Sequence, residues 1–180
     1  MSIIEFYLIF ESILYGLIVT QFFLDWNKLI FSAKNLKIYW SHLLLSLTIF
    51  FQVLLRFNGR LKTLDQLEQI NSSFIFLLET TMGPALLYLI TYQIFPQRPE
   101  RTDLDEFIMD RHKKIGFAIF LYGMYQGIRN IHLGQPISLT APLILFGLLY
   151  LVFVFWKNSL YFKIVTLLGF IASCYFMVII

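Results

Sequence analysis

Residues 76–89 read FLLETTMGPALLYL, an apolar run with Glu79 inside it. A charged residue at the centre of a membrane helix costs about 2.5–3.5 kcal/mol, so it must be hidden, paired or used. Glu11, Gln52, Arg56, Gln126 and Arg129 sit in similarly apolar company. Such a set can do three kinds of work. It can tie helices together, line a path or site for an ion or small ligand, or supply an intramembrane acid whose pKa burial and pairing set between them.

The elements that must position these residues follow from composition. The chain has 180 residues, 58% hydrophobic and 14% charged, with a mean hydropathy of +0.72. A soluble domain carries about 25% charged residues, so a membrane class comes first. A span needs about 20 mainly apolar residues. Six segments qualify, at roughly 3–24, 38–57, 73–95, 113–131, 139–156 and 159–180. The predicted fold is therefore all-α: a polytopic bundle of six transmembrane helices, one domain over 1–180, with no soluble domain. Backbone polar groups in lipid must be satisfied within each segment, which makes every span a helix. The N-terminal MSIIEFYLIF has no basic stretch and opens a full-length apolar run. It reads as a retained helix, not a cleaved signal.

Lys and Arg orient the bundle. Lys28, Lys34, Lys37, Arg98, Arg101, Arg111, Lys113, Lys114, Lys157 and Lys163 share one side, against Arg56, Arg60, Lys62 and Arg129 on the other. Ten against four puts the odd-numbered loops in the cytoplasm and both termini outside. Glu11 then lies about 12 Å, and Glu79 about 9 Å, below the outer ends of their spans at 1.5 Å per residue. Gln52, Arg56, Gln126 and Arg129 fall in the outer thirds of spans two and four. Four helices thus bring polar groups to one depth. Glu79 is expected to find Arg129 or Arg56, with Glu11 as a second carboxylate. The expected function is a small pore, carrier or ligand-binding membrane protein. A purely structural reading competes with it, in which Glu–Arg pairs tie helices and arginines snorkel to water.

His42 lies toward the cytoplasmic end of span two, away from the carboxylates. It reads as an interfacial residue beside Tyr39 and Trp40 in the aromatic belt, with sensing near neutral pH as the functional alternative. Small-residue ridges mark helix contacts: Ser12, Gly16 and Thr20; Gly123 and Gly127; Gly169 and Ser173. They are expected to pack within the bundle, and homo-oligomerisation stays open. Gly83–Pro84 predicts a kink that frees the Thr80 carbonyl. Pro142 is placed at the start of span five, where proline is tolerated.

Two links look structured. In TLDQLEQINSS, Thr63 and Gln66 have capping-box spacing, and Leu64, Leu67 and Ile70 suggest a short surface helix. In residues 96–112, Leu104, Phe107 and Ile108 suggest an amphipathic helix on the inner surface. The same link holds Asp103, Asp105, Glu106, Asp110 and His112, at spacings that match no metal motif. They read as a solvated face. Their functional use would be docking of a cytoplasmic protein partner, which makes a non-catalytic subunit or sensor the alternative function.

No phosphate loop, G-x-G-x-x-G, H-E-x-x-H or nucleophile elbow is present, so no cofactor, metal or catalytic residue is assigned. No basic arm suggests nucleic acid. The bilayer itself is the expected partner. Cys174 stands alone and reads as a small buried hydrophobe.

The stretch IYWSHLLLSLTIFFQVLLRF, preceded by LYGLIVTQFFLDWNKLI, resembles a family of small multi-span bacterial membrane proteins with no assigned activity. Tyr39, Trp40, His42, Leu43, Leu44 and Gln52 carry the likeness. The family often continues from the glutamine into tryptophans, where this chain has Val53 and Leu54. The likeness covers about the first 60 residues. It implies a bacterial inner-membrane location and supplies no catalytic residues.

Overall fold

The structure is a computed structural model that describes residues 3–32, 40–62, 73–96 and 103–179. The expected surface helix at Thr63–Ile70 lies outside those residues. Among them are seven helices and no strand: α1 Ile3–Ser32, α2 Trp40–Lys62, α3 Ser73–Ile94, α4 Leu104–Asp110, α5 His112–His132, α6 Ile137–Phe155 and α7 Ser159–Ile179.

Among the described residues, four stretches are long and apolar enough to cross a membrane: Leu8–Phe31, Trp40–Asn58, Ile137–Phe155 and Ser159–Met177. Their outer faces carry Ile13, Leu17, Phe23, Leu145, Leu160 and Ile171, all exposed. A water-soluble monomer does not present such continuous apolar surface. These helices fit a membrane protein.

Packing closes the helices on one another. α3 touches α1, α2 and α5; α5 lies along α6; α7 joins α6 to α2. The α5–α6 seam is the tightest, and glycine is the reason. A Cβ on Gly123 would come within 2.8 Å of the Gly147 Cα and the Leu143 carbonyl. Gly127 meets the Ile144 side chain, and Gly169 on α7 meets the Phe146 ring. These ridges pack inside the bundle. The ridge on α1 behaves differently: Ser12, Gly16 and Thr20 are exposed, and nothing lies within 4 Å of a Cβ on Gly16.

Helix bounds depart from expectation where side chains extend the helix. α1 continues past residue 24 because Asp25 gathers its own helix neighbours. It accepts from Gln21 Nε2 at 2.8 Å and from Lys28 Nζ at 3.1 Å, and Leu29 one turn on is buried. α6 starts at Ile137, directly after a turn with Gly134 at φ 65 and an extended Pro136. Pro142 therefore sits six residues into the helix and not in its first turn.

The 103–110 segment is a helix, but not one lying free on a surface. Asp103 caps it, accepting from the backbone N–H groups of Asp105 at 2.9 Å and Glu106 at 3.3 Å. Leu104 and Ile108 are each 1% exposed and belong to the core. Asp105 pairs with Lys163 of α7 at 3.2 Å, and Asp110 with Lys157 of the α6–α7 turn at 3.3 Å. The apolar face expected to meet lipid is covered by protein.

Candidate functional site

Two polar assemblies lie within the bundle, one toward each end. The first is built on Arg56, in the last turns of α2, with 7% of its surface exposed. Its Nη1 donates to Gln126 Oε1 of α5 at 2.7 Å, and its Nη2 donates to the Tyr125 hydroxyl at 3.2 Å. The guanidinium carbon stands 5.6 Å from the Tyr125 ring centroid, an attractive placement for a cation on a π-face. A buried cation needs such partners, because it has given up water.

Other helices complete the shell. Glu11 and Tyr15 lie one turn apart on α1, both buried, and both are charge neighbours of Arg56. The i, i+4 spacing puts them on one face. Tyr122 and Gln126 repeat that spacing on α5, both buried, and Tyr122 also neighbours Arg129. α3 contributes backbone. A Cβ on Gly83 would stand 3.3 Å from Arg56 Nη2 and from the Tyr125 ring, so the absent side chain is the room in which they lie.

Of the residues expected at one depth, Glu11, Arg56, Gln126 and Arg129 gather here. Glu79 falls on α3, and its side chain lies outside the described residues. Gln52 does not join them. It donates to Ser173 Oγ of α7 at 3.0 Å, because that part of α2 packs against α7, where Phe51 also stacks on Phe170. Tyr15, Tyr122 and Tyr125 were not singled out from sequence, and Gly83 was read only as part of a kink. A signal existed: Glu11–Tyr15 and Tyr122–Gln126 are polar pairs at helical spacing within apolar runs.

The second assembly surrounds His42. Its ring is covered by protein and does not face the surface beside Trp40. It is 1% exposed and packed edge-on to Trp26 and Phe95, with centroids at 6.2 and 5.4 Å. Its Nε2 donates to the Ile94 carbonyl at 2.8 Å, an end group of α3. A carbonyl in the last turn has no donor within its own helix, and His42 supplies one across the bundle. Trp40 remains about half exposed at the same end.

No group of three or more metal-ligating side chains occurs among the described residues. Among the described residues the Arg56 centre holds two guanidinium groups, three phenols, an amide and a carboxylate. That chemistry suits recognition of a charged or hydrogen-bonding group, or a tie between helices. Comparison with family models, curated proteins and solved structures finds no match to this chain.

Proposed function

We propose that this chain is a six-span membrane protein of the bacterial inner membrane, with both termini outside, and that its Arg56 centre is a small pore, carrier or ligand site. α3 and α5 supply the two further spans. The placement in a bacterial inner membrane rests on the likeness around Tyr39, Trp40 and His42. The observation that carries the functional reading is a buried guanidinium shared by α1, α2 and α5 and lying on the backbone of α3. A purely structural tie needs two helices. Four helices converging on one cation suit a site whose occupancy the bundle senses or transmits.

The alternative, a subunit acting through a soluble partner at residues 96–112, draws on the exposed Glu106, Asp110, Lys113 and Lys114 at the opposite end. One experiment separates them: ion flux from liposomes holding purified protein, for wild type, Glu79→Gln and Arg129→Ala, across a pH series. Flux above empty liposomes that either substitution changes supports the pathway reading. Folded protein without flux at any pH moves the weight to the partner-dependent subunit.

A further inference from the structure

We propose that the start of α5 is a docking surface for the headgroup of an anionic membrane phospholipid. This rests on the reading of α5 as a span, and it names the part of the bilayer that the chain recognises. Lys113 and Lys114 are the second and third residues of α5, and both are exposed. Among the described residues, no carboxylate pairs with either of them. The acids at the same end are engaged elsewhere. Asp105 pairs with Lys163 at 3.2 Å, Asp110 pairs with Lys157 at 3.3 Å, and Asp103 caps α4. Glu106 is exposed on α4 and joins neither lysine.

Placement on the helix decides what the two charges face. Lys113 lies four residues before Phe117 and Lys114 three, so the lysines straddle that ring on one face of α5. Phe117 is half exposed, and Leu121, Ile128 and Ile131 continue the exposed stripe along the helix. The opposite side of α5, with Ile115, Ile119 and Tyr122, is buried in the bundle. The lysines therefore head an outward apolar stripe. Each Cβ of a helix tilts toward its N-terminus, which carries both ammonium groups away from Phe117 and toward the membrane surface.

A second helix marks the height of that surface. α6 returns beside α5: His112 packs on Phe153 with ring centroids at 5.7 Å, and a Cβ on Gly116 would stand 2.8 Å from Val154 Cγ2. Trp156 then closes α6 level with the lysines, 56% exposed and against Tyr161 at 5.5 Å. Tryptophan in such a setting belongs at headgroup level. Ammonium groups, an apolar stripe for an acyl chain and an interfacial tryptophan thus share one place. A soluble acidic partner would use the charges and leave the stripe. An anionic lipid uses both, and its phosphate attracts each lysine near the surface.

The test is thermal unfolding of the full chain in phosphatidylcholine nanodiscs, with the phosphatidylglycerol fraction raised stepwise at constant ionic strength. The expected result is a saturable rise in melting temperature, its midpoint at an about fivefold higher phosphatidylglycerol fraction in Lys114→Gln. The rise is expected to vanish in Lys113→Gln with Lys114→Gln and to return when both lysines are replaced by arginine. Lys28→Gln, whose lysine already pairs with Asp25 at 3.1 Å, is expected to match wild type. Equal midpoints in wild type and the double glutamine variant overturn the proposal, and so does a flat response of wild type. The same rise produced by sodium glycerol phosphate in pure phosphatidylcholine overturns it too, since the partner is then a soluble anion. A separate readout tests the span. In a Cys174→Ser background, Phe117→Cys is expected to resist an impermeant maleimide. Labelling there takes α5 out of lipid, and the proposal falls with the span; protection together with a flat lipid response overturns the headgroup surface alone.

Discussion

At the residue scale, the Arg56–Gln126 bond decides how a charge survives in this interior. Removing one partner of a buried charged hydrogen bond strands the other, whereas replacing both with apolar groups of similar shape is often close to neutral. Gln126→Leu is expected to destabilise the chain by about 1.5–3 kcal/mol, since the guanidinium loses its 2.7 Å acceptor. Arg56→Met with Gln126→Leu is expected to cost less than the sum of the two single changes. Denaturant titration in mixed micelles measures all three. Strictly additive costs would mean that the bond carries no coupling. Glu11, Arg56 and Gln126 were legible as candidates because such side chains are expensive in an apolar run. The tyrosines were not, because a tyrosine in a membrane helix is equally at home in the interface, and only the fold turns Tyr15, Tyr122 and Tyr125 inward to Arg56.

At the element scale, two glycines in similar sequence settings have opposite meanings. Gly123 brings α5 against the backbone of α6, where a Cβ would stand 2.8 Å from Gly147 Cα. Backbone cannot step aside, so Gly123→Ala is expected to cost about 1–3 kcal/mol through overpacking. Gly16 on α1 faces open space. There, Gly16→Ala is expected to be neutral or to stabilise by up to about 1 kcal/mol, the difference in helix propensity. Unfolding of both variants in the same detergent checks the contrast, and equal effects would contradict the α5–α6 seam. Small-xxx-small spacing was visible in both helices, but the motif states only that a close approach is possible. The short helix α4 teaches the same point. Its amphipathic period was legible, yet the burial of Leu104 and Ile108 in the core is decided by how the helices pack.

At the scale of the whole molecule, contacts sort the connections by end. His42 meets Ile94, Asp105 meets Lys163 and Asp110 meets Lys157, so the start of α2, the end of α3, α4 and the α6–α7 turn share one end. The α5–α6 turn lies at the other. In a Cys174→Ser background, Asp110→Cys and Lys157→Cys are expected to react with an impermeant maleimide from the same side of the membrane, and Gln135→Cys from the opposite side. Labelling of all three from one side would refute the six-span arrangement. The order of the apolar segments already implied that alternate links share an end, since each helix crosses from one end to the other; the Lys and Arg asymmetry adds only the expectation of which end faces the cytoplasm.

The sequence by itself determined the helical class and the approximate positions of the apolar helices, because length and hydropathy are local and lipid leaves the backbone few alternatives. It also marked which polar side chains would need shelter. Only the tertiary structure decided who shelters whom. Arg56 turned to Gln126 and Tyr125, Gln52 to Ser173, and His42 to the end of α3. Those choices depend on how each helix is rotated about its own axis. Rotation is fixed by close packing at Gly83, Gly123 and Gly147, a property of pairs of helices and not of either one alone.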